Sequence, residues 1–361
     1  MARIDNTINV NSSYSITASE VDLEGLKLSI WVYTGIQGDS ALDSVALLAN
    51  ANRVLTPTYS LQATATLHDN AKVVEFEVSS LIKDFIESEL DGTYNTTNTV
   101  WVDIQTTKVV AGLDFIQASQ HFLAVDGYEY TRNDGVADID KVIRLSNRHV
   151  LKLSASDIVV PVLKQQMVDY TFSKDGVTTS TGVVADFPDS LLSNEQIVYL
   201  SNDSLEVDKL VITSDLGEET ITIENVDECR YDETKLTFVN KFGAFQDVWF
   251  FKNSKRAVEV KSSKWNRRNK VVGGGAYRPT ALKNTTDVNE KISLNSGFYP
   301  ENNNVVFEEL MQSDSVWLWE GSDTHPVIVK DSSFDFKDSN TDKLINYTIK
   351  IEYAFNKMKT L

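Results

Sequence analysis

The residue types that perform catalysis are few in this sequence, and they show no spacing typical of an active site. The four histidines are far apart and form no pair that would bind a metal ion; they are His68, His121, His149 and His325. The single cysteine, Cys229, is flanked by acidic residues, which disfavour the thiolate that a nucleophile requires. The sequence has no glycine-rich phosphate-binding loop and no HExxH or GxSxG motif. We therefore expect no catalytic residues, no cofactor and no enzymatic activity.

Two clusters of aspartates raise the question of a cation site. The aspartates at 331–342 lack the glycine and the closing glutamate of a hand-type calcium loop, and phenylalanines alternate with them as in a strand. The aspartates at 134–140 lie near a turn, where aspartate is favoured for conformational reasons. Strand and turn chemistry explain both clusters, so we assign no metal ligands and leave a weak cation site there as an open question.

Length, charge and composition indicate a water-soluble chain of two domains. At 361 residues the chain is too long for one small core. Its formal net charge of −18, from 34 Lys and Arg against 52 Asp and Glu, repels nucleic acid and anionic membranes. One cysteine cannot form an internal disulfide, and we identify neither a signal peptide nor an apolar run of about 18 residues. We expect folding in a reducing cytoplasm and no membrane association.

Alternation of apolar and polar residues predicts a mainly β fold, with two β-sandwich or barrel-like domains and a few short helices. The first domain, residues 1–145, contains strands such as TVWVDIQTT and one helix at about 79–90, whose apolar residues recur at intervals of three and four. The second domain, residues 146–361, continues with strands about ten residues apart, a spacing typical of a sandwich or barrel.

Near the end of the sequence a short helix is predicted after Pro300, where a proline suits the first turn. The last long strand follows it. Alternate residues of that strand share one face, which we predict to be buried: Ile345, Tyr347, Ile349 and Ile351.

The stretch NKFGAFQDVWFFK, residues 240–252, is unusually rich in aromatic rings. It partly matches the strand motif with which RNA-recognition domains stack bases. The match fails because Gly243 follows Phe242 instead of preceding it, and because Gln246 takes the place of a valine. We interpret the stretch as a strand pair turned at Gly243, with its rings in a core.

Residues 254–283 differ in kind from the rest of the chain. From Lys252 to Lys283 there are ten Lys and Arg and a single acid, Glu259. The segment is interpreted first as an arm or loop that lies on the acidic surface of another subunit; the alternatives are a flexible surface loop and a DNA-binding arm. Tryptophan and tyrosine favour the first, since such rings anchor protein interfaces. The predicted contact residues are Lys255, Arg256, Lys261, Lys264, Trp265, Arg267, Arg268, Lys270, Tyr277 and Arg278.

Several strings resemble structural proteins of tailed bacteriophages, especially those of Bacteroidetes and related marine bacteria; among them are TFVNKFGAFQDVWFF, VEFEVSSLIKDFIE and SGFYPENNNVVFEELMQSDSVWLWEG. The resemblance is to tail or baseplate-type components and covers both halves of the chain. It implies a place in the virion tail, synthesis in the host bacterial cytoplasm, and a ring-like homo-oligomer that contacts other copies and neighbouring virion proteins. It brings no catalytic residues, and it does not separate neck, tube and tip rings.

We therefore expect a structural virion protein. The alternative is a carbohydrate-binding module that recognises the host surface, because exposed rings on a β-sandwich can stack on sugars. An enzyme comes third. The position of the tryptophans distinguishes the first two, since burial favours the structural role and a coplanar exposed set favours sugar binding; they are Trp101, Trp249, Trp317 and Trp319.

Overall fold

The chain is mainly β, as predicted, in two compact units. The computed structural model describes residues 7–9, 24–33, 58–64, 66–68, 71–73, 76, 78–86, 88–94, 99–128, 144–154, 156–163, 167–184, 197–202, 206–227, 230–266, 281–330, 344–355 and 357–358. Unit 1 comprises Met1–Asp227 and Phe238–Asp247, and unit 2 comprises Glu228–Thr237 and Val248–Leu361. The boundary placed near residue 145 from the sequence falls inside unit 1, where one sheet ends and the strands of another begin. No helix in the described ranges is long and apolar enough to cross a membrane.

Unit 1 begins with a five-stranded sheet. In chain order its elements are β1 (Thr7–Asn9), β2 (Gly25–Tyr33), β3 (Tyr59–Thr64), the small hairpin β4 (Thr66–His68) and β5 (Ala71–Val73), α1 (Ser79–Lys83), β6 (Thr99–Val110) and β7 (Leu113–Val125). The sheet order is β1-β7-β6-β2-β3. Alternate residues of β2 and β6, such as Leu28 and Val102, are buried against Ile82 of α1 and Ile86 just beyond it.

The helix predicted at 79–90 is shorter than expected. After Lys83 the backbone forms tighter turns, because the amide of Phe85 donates to the carbonyl of Ile82 and the amide of Ile86 to that of Lys83. Ile82 and Ile86 still reach the same core. The apolar spacing therefore identified the buried face correctly and overestimated the length of regular helix, since one face can be buried by a helical turn followed by irregular chain.

The rest of unit 1 consists of a five-stranded sheet and a two-stranded sheet packed face to face. Its strands are β8 (His149–Leu153), β9 (Ile158–Leu163), β10 (Val168–Lys174), β11 (Val177–Val184), β12 (Ile197–Asn202), β13 (Lys209–Ser214) and β14 (Gly217–Val226). Five of them form a sheet in the order β11-β10-β13-β14-β8, and β9 pairs with β12. Phe172, Leu210 and Ile221 of the sheet pack with Val160 and Leu200 of the pair in one core, as the two layers of a sandwich do.

Unit 2 contains most of an eight-stranded sheet. The remaining elements are β15 (Thr234–Val239), β16 (Phe245–Phe250), β17 (Lys252–Asn266), β18 (Ala281–Asn295), β19 (Tyr299–Pro300), a 3-10 turn (Glu301–Asn303), α2 (Asn304–Gln312), β20 (Val316–Glu320), β21 (Asp323–Val329), β22 (Leu344–Ile345), β23 (Thr348–Tyr353) and β24 (Lys357–Met358). The sheet order is β16-β15-β20-β21-β23-β18-β17, with β24 beside β18. The chain changes unit after Asp227, within β15 and within β16.

The core of unit 2 forms around α2, and the predicted buried face of the last long strand is confirmed. Ile345, Tyr347, Ile349 and Ile351 are all buried. The ring of Phe307 on α2 lies 4.9 Å from that of Tyr347 and 5.1 Å from that of Tyr299. The hydroxyl of Tyr347 donates to Asn304 Oδ1 at 2.7 Å and so fixes the start of the helix.

The aromatic stretch at 240–252 fills cores, as predicted. Phe245 is buried in unit 1, and Phe250 and Phe251 are buried in unit 2. The turn between β15 and β16 is held by Asn240, whose Oδ1 accepts from the amides of Phe242 and Ala244 at 3.0 and 3.1 Å. Gly243 has a φ of +75°, and a Cβ there would lie 2.8 Å from the amide nitrogen of Asp126. The turn therefore requires glycine for its backbone conformation and for its close packing.

Candidate functional site

The strands β17 and β18 form a long antiparallel hairpin, here called the hairpin. Each strand has fifteen residues, and pairing runs from Lys252 opposite Asn295 to Asn266 opposite Ala281. On the other side of β18, β23 pairs only over Lys291–Asn295 and β24 only at Asp287 and Val288. Among the described strands, none pairs with the edge of β17 that faces away from β18. None besides β17 pairs with residues 281–286 of β18. The distal half of the hairpin thus extends past the sheet.

The arm predicted at 254–283 is in fact strand wherever the structure describes it, at 254–266 and 281–283. The sequence does carry a strand signal, since AVEVK at 257–261 alternates apolar and charged residues. The signal was missed because Lys and Arg dominate the segment and because neither side of the strand packs into a core.

Half of the predicted contact residues lie on one strand. Lys255, Arg256, Lys261, Lys264 and Trp265 belong to β17, and all five are exposed. The other five lie outside the described residues: Arg267, Arg268, Lys270, Tyr277 and Arg278. The structure therefore brings the described five together on one edge strand. They differ in whether an acidic side chain lies nearby.

One face of the hairpin continues the core face of the sheet into solvent. Arg256 is opposite Ile292, which is buried and in turn opposite Ile351 of β23. Residues directly opposite in a ladder share a face. Farther along β17 on this face, Val258 and Val260 are 61% and 50% exposed. The apolar surface of the sheet therefore extends along the hairpin beyond the part that α2 covers.

A single ion pair shows that this face is concave. Arg256 Nη2 donates to Glu320 Oε1 at 2.7 Å. In the sheet order, β17 and β20 are four strand spacings apart, which would be about 19 Å on a flat sheet. Because the two side chains together cannot span that distance, the sheet must curl so that this face lies inside the curve.

Glu320 is the centre of a polar cluster at this end of the sheet. Besides Arg256, Tyr353 donates its hydroxyl to Glu320 Oε1 at 2.9 Å, and His325 Nε2 lies 3.5 Å from the other carboxylate oxygen. Burial and the hydrogen bond to Glu320 raise the pKa of Tyr353 to about 12. Burial alone would raise the pKa of Glu320, but the bonds from Tyr353 and Arg256 outweigh it, and this pKa lies below its ordinary value.

This cluster is suited to clamping the base of the hairpin. Glu320 is held ionised by two donors, so it has no proton to donate as a general acid at neutral pH. The guanidinium of Arg256 fixes the inner face of β17 against β20. Of the predicted contact residues, Arg256 is therefore used within its own unit.

A second ion pair neutralises cations on the outer face near the base. Lys291 Nζ lies 2.5 Å from Glu259 Oε2, and Lys261 Nζ lies 3.8 Å from Glu259 Oε1. The hydrogen bond from Lys291 lowers the pKa of Glu259, and the same bond raises the pKa of Lys291. The single acid noted in the basic segment therefore binds a lysine of the partner strand.

The distal end of the hairpin is different, because its cations face each other. Lys264 is directly opposite Lys283, next to a bulge in β17 after Ser262. Like charges directly opposite in a ladder are destabilising, and neither lysine forms an ion pair within the described part of the chain. The next pair is Trp265 opposite Leu282, and the indole is 55% exposed. Because successive pairs of a ladder point to opposite faces, the repelling cation pair lies on one face of the hairpin and the exposed indole on the other.

The other candidate residues identified from the sequence form no site in the described ranges. His149 lies on β8, and His325 belongs to the Glu320 cluster. Cys229 and both aspartate clusters lie outside the described residues. Across the described ranges, no group of three or more His, Cys, Asp and Glu side chains is placed to hold a metal ion.

The four tryptophans that distinguish a structural role from sugar binding do not form an exposed coplanar surface. Trp101, Trp249 and Trp317 are buried. Trp319 is half-buried, donates its Nε1 to Thr237 Oγ1 at 2.8 Å, and carries the ammonium of Lys235 3.5 Å from its ring centroid. This is the arrangement expected for a structural role of these four rings.

Neither a protein-family model nor a curated protein matches the sequence. A function is therefore inferred from the geometry of the hairpin, together with the resemblance of the sequence segments to phage tail proteins. In that geometry the base is neutralised and clamped, whereas Lys264, Lys283 and Trp265 at the distal end are exposed.

Proposed function

We propose that this chain is a structural protein of a bacteriophage particle, located in the tail, which joins other copies of itself and neighbouring particle proteins through the distal end of the hairpin. The observation that carries the proposal is the pairing of Lys264 with Lys283, followed along the ladder by the exposed indole of Trp265. The virion and its tail enter through the resemblance of the sequence strings to tail or baseplate-type proteins.

The distal end has the composition of a protein-binding surface. Tryptophan is the residue type most enriched among interface hot spots. An indole that is 55% exposed gains free energy when a partner removes its apolar area from water. The repulsion between Lys264 and Lys283 decreases when a carboxylate of the partner lies between or beside them. The lysines and the indole point to opposite faces of the hairpin, so the two features favour a partner that presents acidic groups to one face and an apolar patch to the other.

A hairpin that contacts a different surface on the next copy leads to a ring. Such a contact is heterologous, because the two surfaces that meet are not the same patch. Repeated contacts of this kind close into rings when the rotation allows it and otherwise form filaments. The ring-like assembly implied by the resemblance is therefore the form we propose for this contact.

Sedimentation velocity tests the self-association. The wild-type chain should form oligomers that increase with concentration at low salt and dissociate at about 1 M salt, where the Debye length is about 3 Å. Trp265→Ala should weaken association about tenfold or more, as expected for a hot-spot tryptophan. Phe298→Ala removes another exposed ring of unit 2 outside the hairpin and is the matched control.

Two results would overturn the proposal in part or in whole. A wild-type chain that sediments as a monomer at high concentration and low salt refutes self-association, and equal behaviour of the two variants refutes the role of the hairpin. The place in the particle is tested separately by immunogold labelling of phage particles with an antibody against this chain. Label on the tail supports that part, and unlabelled particles refute it.

A further inference from the structure

The chain contains an acidic counterpart to the basic hairpin. Residues 252–295 have eleven Lys and Arg and three acids, whereas residues 206–227 have seven acids and one lysine. The acidic segment contains β13, β14 and the turn between them. Seven of those Lys and Arg and all three acids lie in the described strands at 252–266 and 281–295, so opposite charge occurs on two strand pairs of the same chain.

The acidic strands belong to a sheet with one covered and one exposed face. Ile212 and Ile221 on the covered face are buried in the sandwich core of unit 1. On the exposed face, Glu218 of β14 is opposite Thr213 of β13, and Thr213 is opposite Asp169 of β10. Asp169 is in turn opposite Val183 of the edge strand β11. We call the four residues Glu218, Thr213, Asp169 and Val183 the acceptor row.

The acceptor row combines free carboxylates with exposed apolar side chains. Within the described residues, neither Asp169 nor Glu218 forms an ion pair. Glu219, by contrast, points to the covered face, where its carboxylate lies 2.5 Å from Arg144 Nε. Val183, at one end of the row, is exposed, and so is Leu216 in the turn before β14. The row therefore presents two carboxylates flanked by apolar groups.

We infer that the acceptor row of one copy binds the distal end of the hairpin of a second copy. This inference rests on the proposed function and names the surface that receives the hairpin. Asp169 and Glu218 supply the carboxylates that relieve the repulsion between Lys264 and Lys283.

Charge complementarity favours a second copy over nucleic acid as the occupant. The window 206–227 has a net charge of −6, and the described strands of the hairpin, 252–266 and 281–295, have a net charge of +4 from seven Lys and Arg and three acids. Such a match steers association between copies and fixes its orientation. A nucleic acid would be attracted by the basic hairpin but repelled by a chain whose net charge is −18.

A charge swap tests the inference on the full-length chain. The donor variant carries Lys264→Glu with Lys283→Glu, and the acceptor variant carries Asp169→Lys with Glu218→Lys. Each alone should weaken self-association at least about tenfold, since two attractive pairs become repulsive. The chain with all four substitutions should regain association, and so should an equimolar mixture of the donor and acceptor variants. Asp84→Lys with Glu89→Lys changes two exposed acids of unit 1 outside the row and is the matched control; it should associate like wild type.

Each outcome of sedimentation velocity supports or refutes a defined statement. Rescue by the four-fold variant supports the pairing of the two surfaces. If the donor variant loses association and the acceptor variant keeps it, the acceptor row is wrong and the hairpin proposal stands. If neither loses association, both the inference and the role of the hairpin are wrong. Retardation of the wild-type chain, but not of the donor variant, on duplex DNA at physiological salt would replace the second copy with nucleic acid as the occupant.

Discussion

Replacing Gly243 with alanine should destabilise unit 1 more than replacing a glycine of the same backbone conformation elsewhere. Gly243 lies in the turn between β15 and β16 with a φ of +75°. A Cβ at this position would lie 2.8 Å from the amide nitrogen and 2.9 Å from the carbonyl carbon of Asp126. Both are backbone atoms, so no side chain can rotate away to make room.

The matched control is Gly112, in the turn between β6 and β7 of the same unit. It has the same φ of +75°, but a Cβ there meets no atom within 4 Å. Gly112→Ala should therefore cost only the left-handed backbone penalty of about 1–2 kcal/mol. Gly243→Ala should cost that and about 1–3 kcal/mol more, as overpacking does, because the turn must move away from Asp126 and strain the bonds of Asn240.

Urea unfolding of the two variants, followed by circular dichroism, measures the difference. The urea midpoint of unit 1 should be lower in Gly243→Ala than in Gly112→Ala. The difference in free energy of unfolding should be about 2 kcal/mol if the clash is relieved by moving the turn. Amide exchange at Phe242 and Ala244 should also accelerate in this variant alone, since both amides donate to Asn240. Equal destabilisation in the two variants would mean that the turn does not pack against Asp126 as described.

Two further predictions concern unit 2. Ile349→Asp should abolish soluble expression, because a carboxylate buried without a partner costs several kcal/mol. The same substitution at Ile328 should be tolerated, since Ile349 is 2% exposed and Ile328 is 45% exposed. Soluble yield and thermal melting of both variants test the difference. Glu320→Gln should bring the pKa of Tyr353 from about 12 back towards its ordinary value of 10. Because that folded-state pKa is raised, Tyr353 stabilises the wild type fully below about pH 10 and loses this contribution as pH rises towards 12. Ultraviolet titration of the phenolate measures the pKa, with Tyr353→Phe as the blank. Identical titration of wild type and Glu320→Gln would contradict the cluster.

The sequence predicted those parts of the fold in which a strand has one buried face. Alternation placed Ile345 and Ile349 inward because only one register of such a strand buries its apolar residues. It failed at the hairpin, where both faces are exposed and no core imposes a pattern. The sequence identified the basic residues but did not show which of them have an acidic partner. The partners of Arg256 and Lys291 lie on distant or opposite strands. The acceptor row was missed for the same reason, since its carboxylates on β10 and β14 are brought together only by sheet order.

The hairpin raises the question of what holds a strand pair straight when neither face is buried. At its base, Arg256 is bound to Glu320 across the curved sheet and Glu259 to Lys291 across the ladder, so two ion pairs favour the register that the backbone bonds set. A slip of one residue would break both pairs and transfer Val258 and Val260 to the other face. At the distal end, the pairing of Lys264 with Lys283 works against the ladder. Within the described residues neither lysine has an acidic partner, and a surface that a second molecule completes would have this property.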